Sequence, residues 1–161
     1  MEGLPLHMSI EDDIAFLERI PSLRLLGRDA LRILAIGAES RTIDEGNSLF
    51  GEGEDADCAY VVQEGAFDLV AQKGATQPSV AGPGTLIDEL ALFTDSKRST
   101  AAVAREPSTV VRIPRQLFLK MLEGYPDAAR RMRDAVAAKV SQTASELSRV
   151  RDTLVRGPMR R

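Results

Sequence analysis

The residues best placed to do chemistry lie in one stretch, residues 82–103, which reads GPGTLIDELALFTDSKRSTAAV. A Gly82-Pro83-Gly84 turn leads into an apolar run holding one acidic pair, Asp88-Glu89. A polar loop follows, and Arg98 then heads the small, alternating run Ser99-Thr100-Ala101-Ala102-Val103. This predicts a turn, one short helix and a strand that begins with a cation. The start of a helix offers unpaired backbone N–H groups and the arginine offers a forked guanidinium, the two donors an anion needs. Glu89 beside them can accept from sugar hydroxyls.

Other chemistries find less support. The lone histidine, His7, stands in the opening eight residues, so no Ser-His-Asp set can be assembled, and no Cys/His cluster has metal-ligand spacing. The chain is therefore expected to be no enzyme, with no catalytic residues, no metal and no cofactor beyond a ligand. The single cysteine, Cys58, lies in the strand-like run DCAYVV and reads as a small buried apolar group. It also excludes an internal disulfide and fits a reducing compartment, hence the cytoplasm. A net charge of −3 and 4% aromatic residues argue against nucleic-acid binding. No apolar run is long enough to span a membrane.

The elements around the stretch follow from periodicity. Residues 1–8 are read as a leader. Residues 9–19 form a helix with Ser9 as N-cap and Ile10, Ile14 and Leu17 on one face, closed by Pro21. A second helix starts at Gly27-Arg28-Asp29. From Glu39 the period changes to two, and short strands follow over 39–45, 48–50, 58–63, 66–71, 79–81, 99–103 and 109–113, separated by Gly-rich turns. That spacing predicts a small sandwich or jelly-roll barrel, mainly β, between N-terminal helices and a helical C-terminus. Pro114 starts a helix that Gly124 stops, completing a unit over residues 9–124. A long helix then occupies 125–156, and 157–161 is a basic tail. Val136, Val140, Thr143, Leu147, Val150 and Leu154 alternate spacings of four and three, the narrow seam of a two-stranded coiled coil. A homodimer through residues 136–154 is expected.

Taken together, this order of elements resembles the cyclic nucleotide-binding domain, in the version found in bacterial catabolite activator-type regulators. The family motif runs Gly, a few residues, Phe or Ile, Gly-Glu-Leu-Ala-Leu, a loop, then Arg with small residues. Gly84, Ile87, Glu89, Leu90, Ala91, Leu92, Arg98 and Ser99 match it. The resemblance extends over roughly residues 9–156. It implies that Arg98 holds a cyclic phosphate, Glu89 accepts from the ribose 2′-hydroxyl, and backbone N–H groups of Leu90, Ala91 and Leu92 complete the cradle. It further implies that Ser99 touches phosphate or base and that Thr143 on the long helix reaches the base as a lid; the Ser99 and Thr100 hydroxyls favour guanine without excluding adenine. The ligand would be cAMP, with cGMP as the other choice. Binding would reposition the long helix and so act on a protein partner the sequence does not name.

One residue departs from the motif. Asp88 stands where the family has Gly, a position where Gly allows positive φ and close approach of phosphate. Asp tolerates positive φ, but a carboxylate about 4 Å from a phosphate costs on the order of 1–4 kcal/mol. Lys97 would offset part of that, or the Asp88 side chain would turn to solvent. A degenerate member that takes no nucleotide and acts as a dimerising interaction module is the alternative function. A piece of a larger transcription regulator or channel is the alternative context. Such regulators carry a helix-turn-helix after the long helix, which is not in this sequence, so no specific DNA binding is expected of it.

Overall fold

The computed structural model describes residues 9–72 and 79–156, and within the last helix it leaves the side chains at 140, 143, 150 and 152–156 undescribed. The leader, the tail and the Thr143 side chain therefore lie outside the described residues.

Three helices come first: α1 (Ile10–Glu18), the single turn α2 (Pro21–Arg24) and α3 (Arg28–Gly37). The Ser9 hydroxyl accepts from the Asp12 N–H at 3.1 Å while the Asp12 carboxylate answers the Ser9 N–H, a reciprocal capping box. Pro21 ends the first helix as expected, and it also opens α2, where its missing N–H costs nothing. Among the described residues ten short strands follow: β1 (Glu39–Ile43), β2 (Ser48–Phe50), β3 (Asp55–Ala56), β4 (Cys58–Glu64), β5 (Phe67–Val70), β6 (Ser79–Ala81), β7 (Leu86–Ile87), β8 (Ser96–Lys97), β9 (Ala101–Ala104) and β10 (Ser108–Pro114). Helices α4 (Arg115–Gly124) and α5 (Pro126–Arg156) close the chain.

The strands make two antiparallel four-stranded sheets, ordered β1-β10-β4-β7 and β2-β9-β5-β6, with β3 and β8 as a separate two-stranded ribbon. This is the expected jelly-roll architecture. Strand β4 shows how it is filled. Its residues alternate between two cores: Cys58, Tyr60 and Val62 join Phe50, Phe67 and Ile87 between the sheets, while Ala59 and Val61 join the helices. The helical core is built on Leu17, Leu31, Leu34, Phe118 and Met132. Burial on both faces gives β4 its nearly continuous apolar run.

Two arginines tie the layers together through backbone carbonyls. Arg131 on α5 donates to the carbonyls of Leu25 at 2.7 Å and Leu26 at 3.1 Å, satisfying groups left open at the end of α2. Arg115, at the start of α4, donates to Ala56, Ala91 and Thr94 carbonyls and to the Asp95 carboxylate. It pins the loop after residue 92 against the ribbon.

Several expectations about local structure need correction. The short helix after the Gly-rich turn is a four-residue 3-10 turn, Glu89–Leu92, preceded by the two-residue strand β7. Arg98 does not begin a strand: β9 starts only at Ala101, and Arg98, Ser99 and Thr100 form the bend between β8 and β9.

Candidate functional site

Arg98 is positioned by its backbone before its side chain is considered. Its N–H donates to the Glu54 carbonyl at 2.8 Å and its carbonyl accepts from the Gly53 N–H at 2.8 Å. The β3–β8 ribbon, stapled on its exposed side by Lys97 and Asp55, carries Arg98 to the mouth of the sandwich. Asp88 is brought to the same place by β7, whose Ile87 pairs with Tyr60 of β4.

The Arg98 side chain runs inward and is 3% exposed. Its guanidinium carbon lies 4.3 Å from the centroid of the Phe50 ring and 5.5 Å from that of Tyr60, with the two rings stacked on each other. Nη1 donates to the Cys58 carbonyl at 2.9 Å and to Asp88 Oδ2 at 2.9 Å, and Nη2 reaches Cys58 Sγ at 3.2 Å. Nε is buried without a hydrogen-bond partner among the described residues. Burial works against the charge, but the hydrogen bonds to Asp88 and Cys58 outweigh it and hold the Arg98 pKa above its ordinary value. The site therefore keeps a permanent cation at every working pH.

Asp88 adopts φ 62° and ψ 52°, the left-handed conformation, and is the one described non-glycine residue with positive φ. The backbone thus takes the shape glycine would give it. The carboxylate does not turn to solvent, and Lys97 does not neutralise it, because Lys97 is engaged with Asp55. It turns onto Arg98 instead. The reason is physical: a guanidinium in an apolar pocket demands a counter-charge, and Asp88 is the carboxylate within reach.

The other expected residues separate into two groups. Ser99 is exposed and shares with Arg98 an open depression of about 640 Å³, whose other walls include Glu52, Gly53, Val70 and Gln72. Thr100 is half-buried beside it. Glu89 faces elsewhere: it lines a smaller groove of about 210 Å³ with Pro21, Leu25, Met132, Val136 and Lys139, and its Oε1 lies 3.4 Å from the Lys139 ammonium of α5. Of the expected cradle, Leu90 is 63% exposed, while Ala91 and Leu92 are buried. The Ala91 N–H is spent on the Asp88 carbonyl at 3.0 Å. A 3-10 turn this short sums few peptide dipoles, so among these groups the arginine offers an anion more than the helix end does. Sequence reasoning missed the roles of Cys58, Phe50 and Tyr60, which together form the receptacle of Arg98. The alternation of β4, with Cys58 and Tyr60 on one face, was the available signal.

The comparisons with known proteins meet this geometry. The family model described as the cyclic nucleotide-binding domain matches residues 40–125, more than half of the chain. The chain belongs to the cyclic nucleotide-binding domain family. A solved cyclic nucleotide-binding-like protein from Brucella abortus is 37% identical, with 70% of this chain and 98% of that one covered and a TM-score of 0.60. The N-terminal domain of a transcriptional regulator from Streptomyces coelicolor A3(2) superposes with a TM-score of 0.74 at 27% identity, covering 82% of this chain and 94% of that one. A cAMP-dependent protein kinase regulatory subunit from Yarrowia lipolytica is 27% identical over 115 residues, which are 71% of this chain and 30% of that protein. The chain spans less than a third of the length of the curated relatives it matches. Among the described residues no helix is long and apolar enough to cross a membrane.

Proposed function

We propose that this chain is a cytoplasmic regulatory module that binds a cyclic purine nucleotide, cAMP in preference to cGMP, and transmits binding to α5. The observation that carries the reading is Arg98: a buried, permanently charged guanidinium at the family's phosphate position, with an Nε donor still unpartnered. Ser99 and Thr100 flank it with hydroxyls. Binding is the task of these residues, with no group among them arranged as nucleophile and base.

The route to α5 is Glu89. It joins the 3-10 turn to Lys139, and a ribose hydroxyl that drew the Glu89 carboxylate away would release that contact. The pair is exposed enough to be weak, at most about 1 kcal/mol, so it suits a helix that must change position. A ligand moves α5 only through a difference in affinity for its two positions. Calorimetry with cAMP and cGMP tests the reading: wild type binds at millimolar or better, and Arg98→Ala, verified as folded by circular dichroism, binds at least about 100-fold more weakly. A wild type that takes up neither nucleotide sinks it.

A second reading, a dimerising module that takes no nucleotide, is favoured by one observation, the Asp88 carboxylate already seated on Arg98. Both readings share the homodimer through residues 136–154. Leu147 is 65% exposed, as a seam residue awaiting its partner would be. Val136 instead lines the groove with Pro21 and Leu25, so the seam is expected to begin beyond it. Leu147→Glu should convert dimer to monomer in light scattering without lowering helix content. An unchanged mass would remove residues 136–154 as the interface.

A further inference from the structure

We infer that Asp88 is the resident counter-ion of Arg98, holding by its own carboxylate the Nη1 donor an anionic ligand would take, so that a cyclic phosphate gains that donor only by displacing it. The inference rests on the reading of Arg98 as an anion receptor and concerns what sets the affinity of that receptor.

Among the described residues four surround the guanidinium, and they differ in whether they can be exchanged. The Phe50 and Tyr60 rings and the Cys58 carbonyl and sulfur belong to the sandwich core, where Phe50 and Tyr60 are 5% exposed and Cys58 is 1% exposed. None of these can leave without opening the fold. The fourth partner, Asp88, has a side chain that is 22% exposed against 3% for Arg98. Of the two side chains the carboxylate is the more open to solvent, and so the more readily exchanged. Asp88 also sits on the last residue before the 3-10 turn, where rotation of one side chain frees Arg98 without moving a strand.

A carboxylate and a phosphate make the same kind of charge-assisted hydrogen bond to a guanidinium, so they compete for one donor set. The apparent affinity for nucleotide is the intrinsic affinity scaled by the fraction of molecules in which Asp88 has let go. Glycine at this position would impose no such tax, and it suits φ 62° better than aspartate does, so Asp88→Gly removes the competitor without straining the backbone. Asp88→Asn keeps the shape and removes the charge, and asparagine too tolerates this conformation.

The experiment has two arms on wild type, Asp88→Gly and Asp88→Asn. In calorimetry with cAMP and cGMP, Asp88→Gly is expected to bind about 10- to 100-fold more tightly than wild type, with Asp88→Asn between them. In thermal denaturation, sodium sulfate is compared with sodium chloride at equal ionic strength. Sulfate stabilises most proteins by exclusion, so the readout is the difference between chains: Asp88→Gly should gain at least about 3 °C more than wild type. If no chain binds nucleotide but sulfate selectively stabilises Asp88→Gly, the counter-ion inference stands and the nucleotide reading falls. If Asp88→Gly binds nucleotide no more tightly than wild type, or if nucleotide binds none of them and sulfate acts on all alike, the inference is overturned.

Discussion

Replacing Arg98 by methionine is expected to lower the free energy of unfolding by about 2–4 kcal/mol. Removing one partner of a fully buried ion pair costs about 3–5 kcal/mol, because the survivor is left charged in a poor solvent. Asp88 retains some contact with water, its side chain being 22% exposed, so the expected loss sits below the top of that range. Methionine refills part of the space against the Phe50 and Tyr60 rings, which separates the electrostatic loss from a packing loss. The coupling is measurable by urea denaturation of Arg98→Met, Asp88→Asn and the double variant. Asp88→Asn alone strands the arginine, whereas the double variant strands nothing. It should therefore be more stable than the sum of the two single losses by at least about 1 kcal/mol. Strict additivity would show that the 2.9 Å contact contributes nothing to stability.

The second large effect is expected at Gly65, in the turn between β4 and β5. Its φ is +86°, and a Cβ built on it would lie 2.1 Å from Ser108 Oγ and 2.7 Å from Ser108 Cα. Left-handed backbone costs an L-residue about 1–2 kcal/mol, and forcing a methyl group into a filled site adds about 1–3 kcal/mol. Gly65→Ala should thus lose about 2–5 kcal/mol, against a total of about 5–15 kcal/mol for an ordinary domain. Ser108 cannot simply withdraw: its hydroxyl donates to the Glu106 carbonyl at 2.7 Å and accepts from the Ala66 N–H at 3.1 Å. Adding Ser108→Ala should recover little, since the Cα clash remains. A midpoint of thermal unfolding within 2 °C of wild type, about 0.5–1 kcal/mol for this size, would contradict the assignment.

The sequence made the helices and longer strands readable because their signals are local. Ser9 followed by Asp12 announces a cap, Pro21 and Pro114 punctuate, and Glu64-Gly65 marks the hairpin turn. The two-residue strands β3, β7 and β8 carry no period at all. They exist only because Asp55 meets Lys97 and Tyr60 meets Ile87 across the fold, which a linear reading cannot sense. The site was legible in the same uneven way. The identities of Asp88, Glu89 and Arg98 stood out, as did the tolerance of aspartate for left-handed backbone. The direction of the Asp88 carboxylate did not, because it is decided by a receptacle for Arg98 built from Phe50, Cys58 and Tyr60, far earlier in the chain. Arg115 was hidden for a similar reason. Its carbonyl partners, Ala56 on one side and Ala91 and Thr94 on the other, come from two segments far from it in sequence.

Strand β4 has a final consequence. It is one wall for two rooms, with Tyr60 and Val62 in the sandwich and Ala59 and Val61 under the helices. Neither core can dissolve while the other stays sealed, because each would take half of the shared strand with it. The amide protons of β4 must then wait for whole-molecule opening before they exchange with solvent, while those of the β3–β8 ribbon, with two residues to a side and one exposed ion pair, can exchange through small local openings. Arg98 straddles that divide: its backbone follows the two-residue ribbon and its guanidinium ends against Cys58 and Tyr60 of β4.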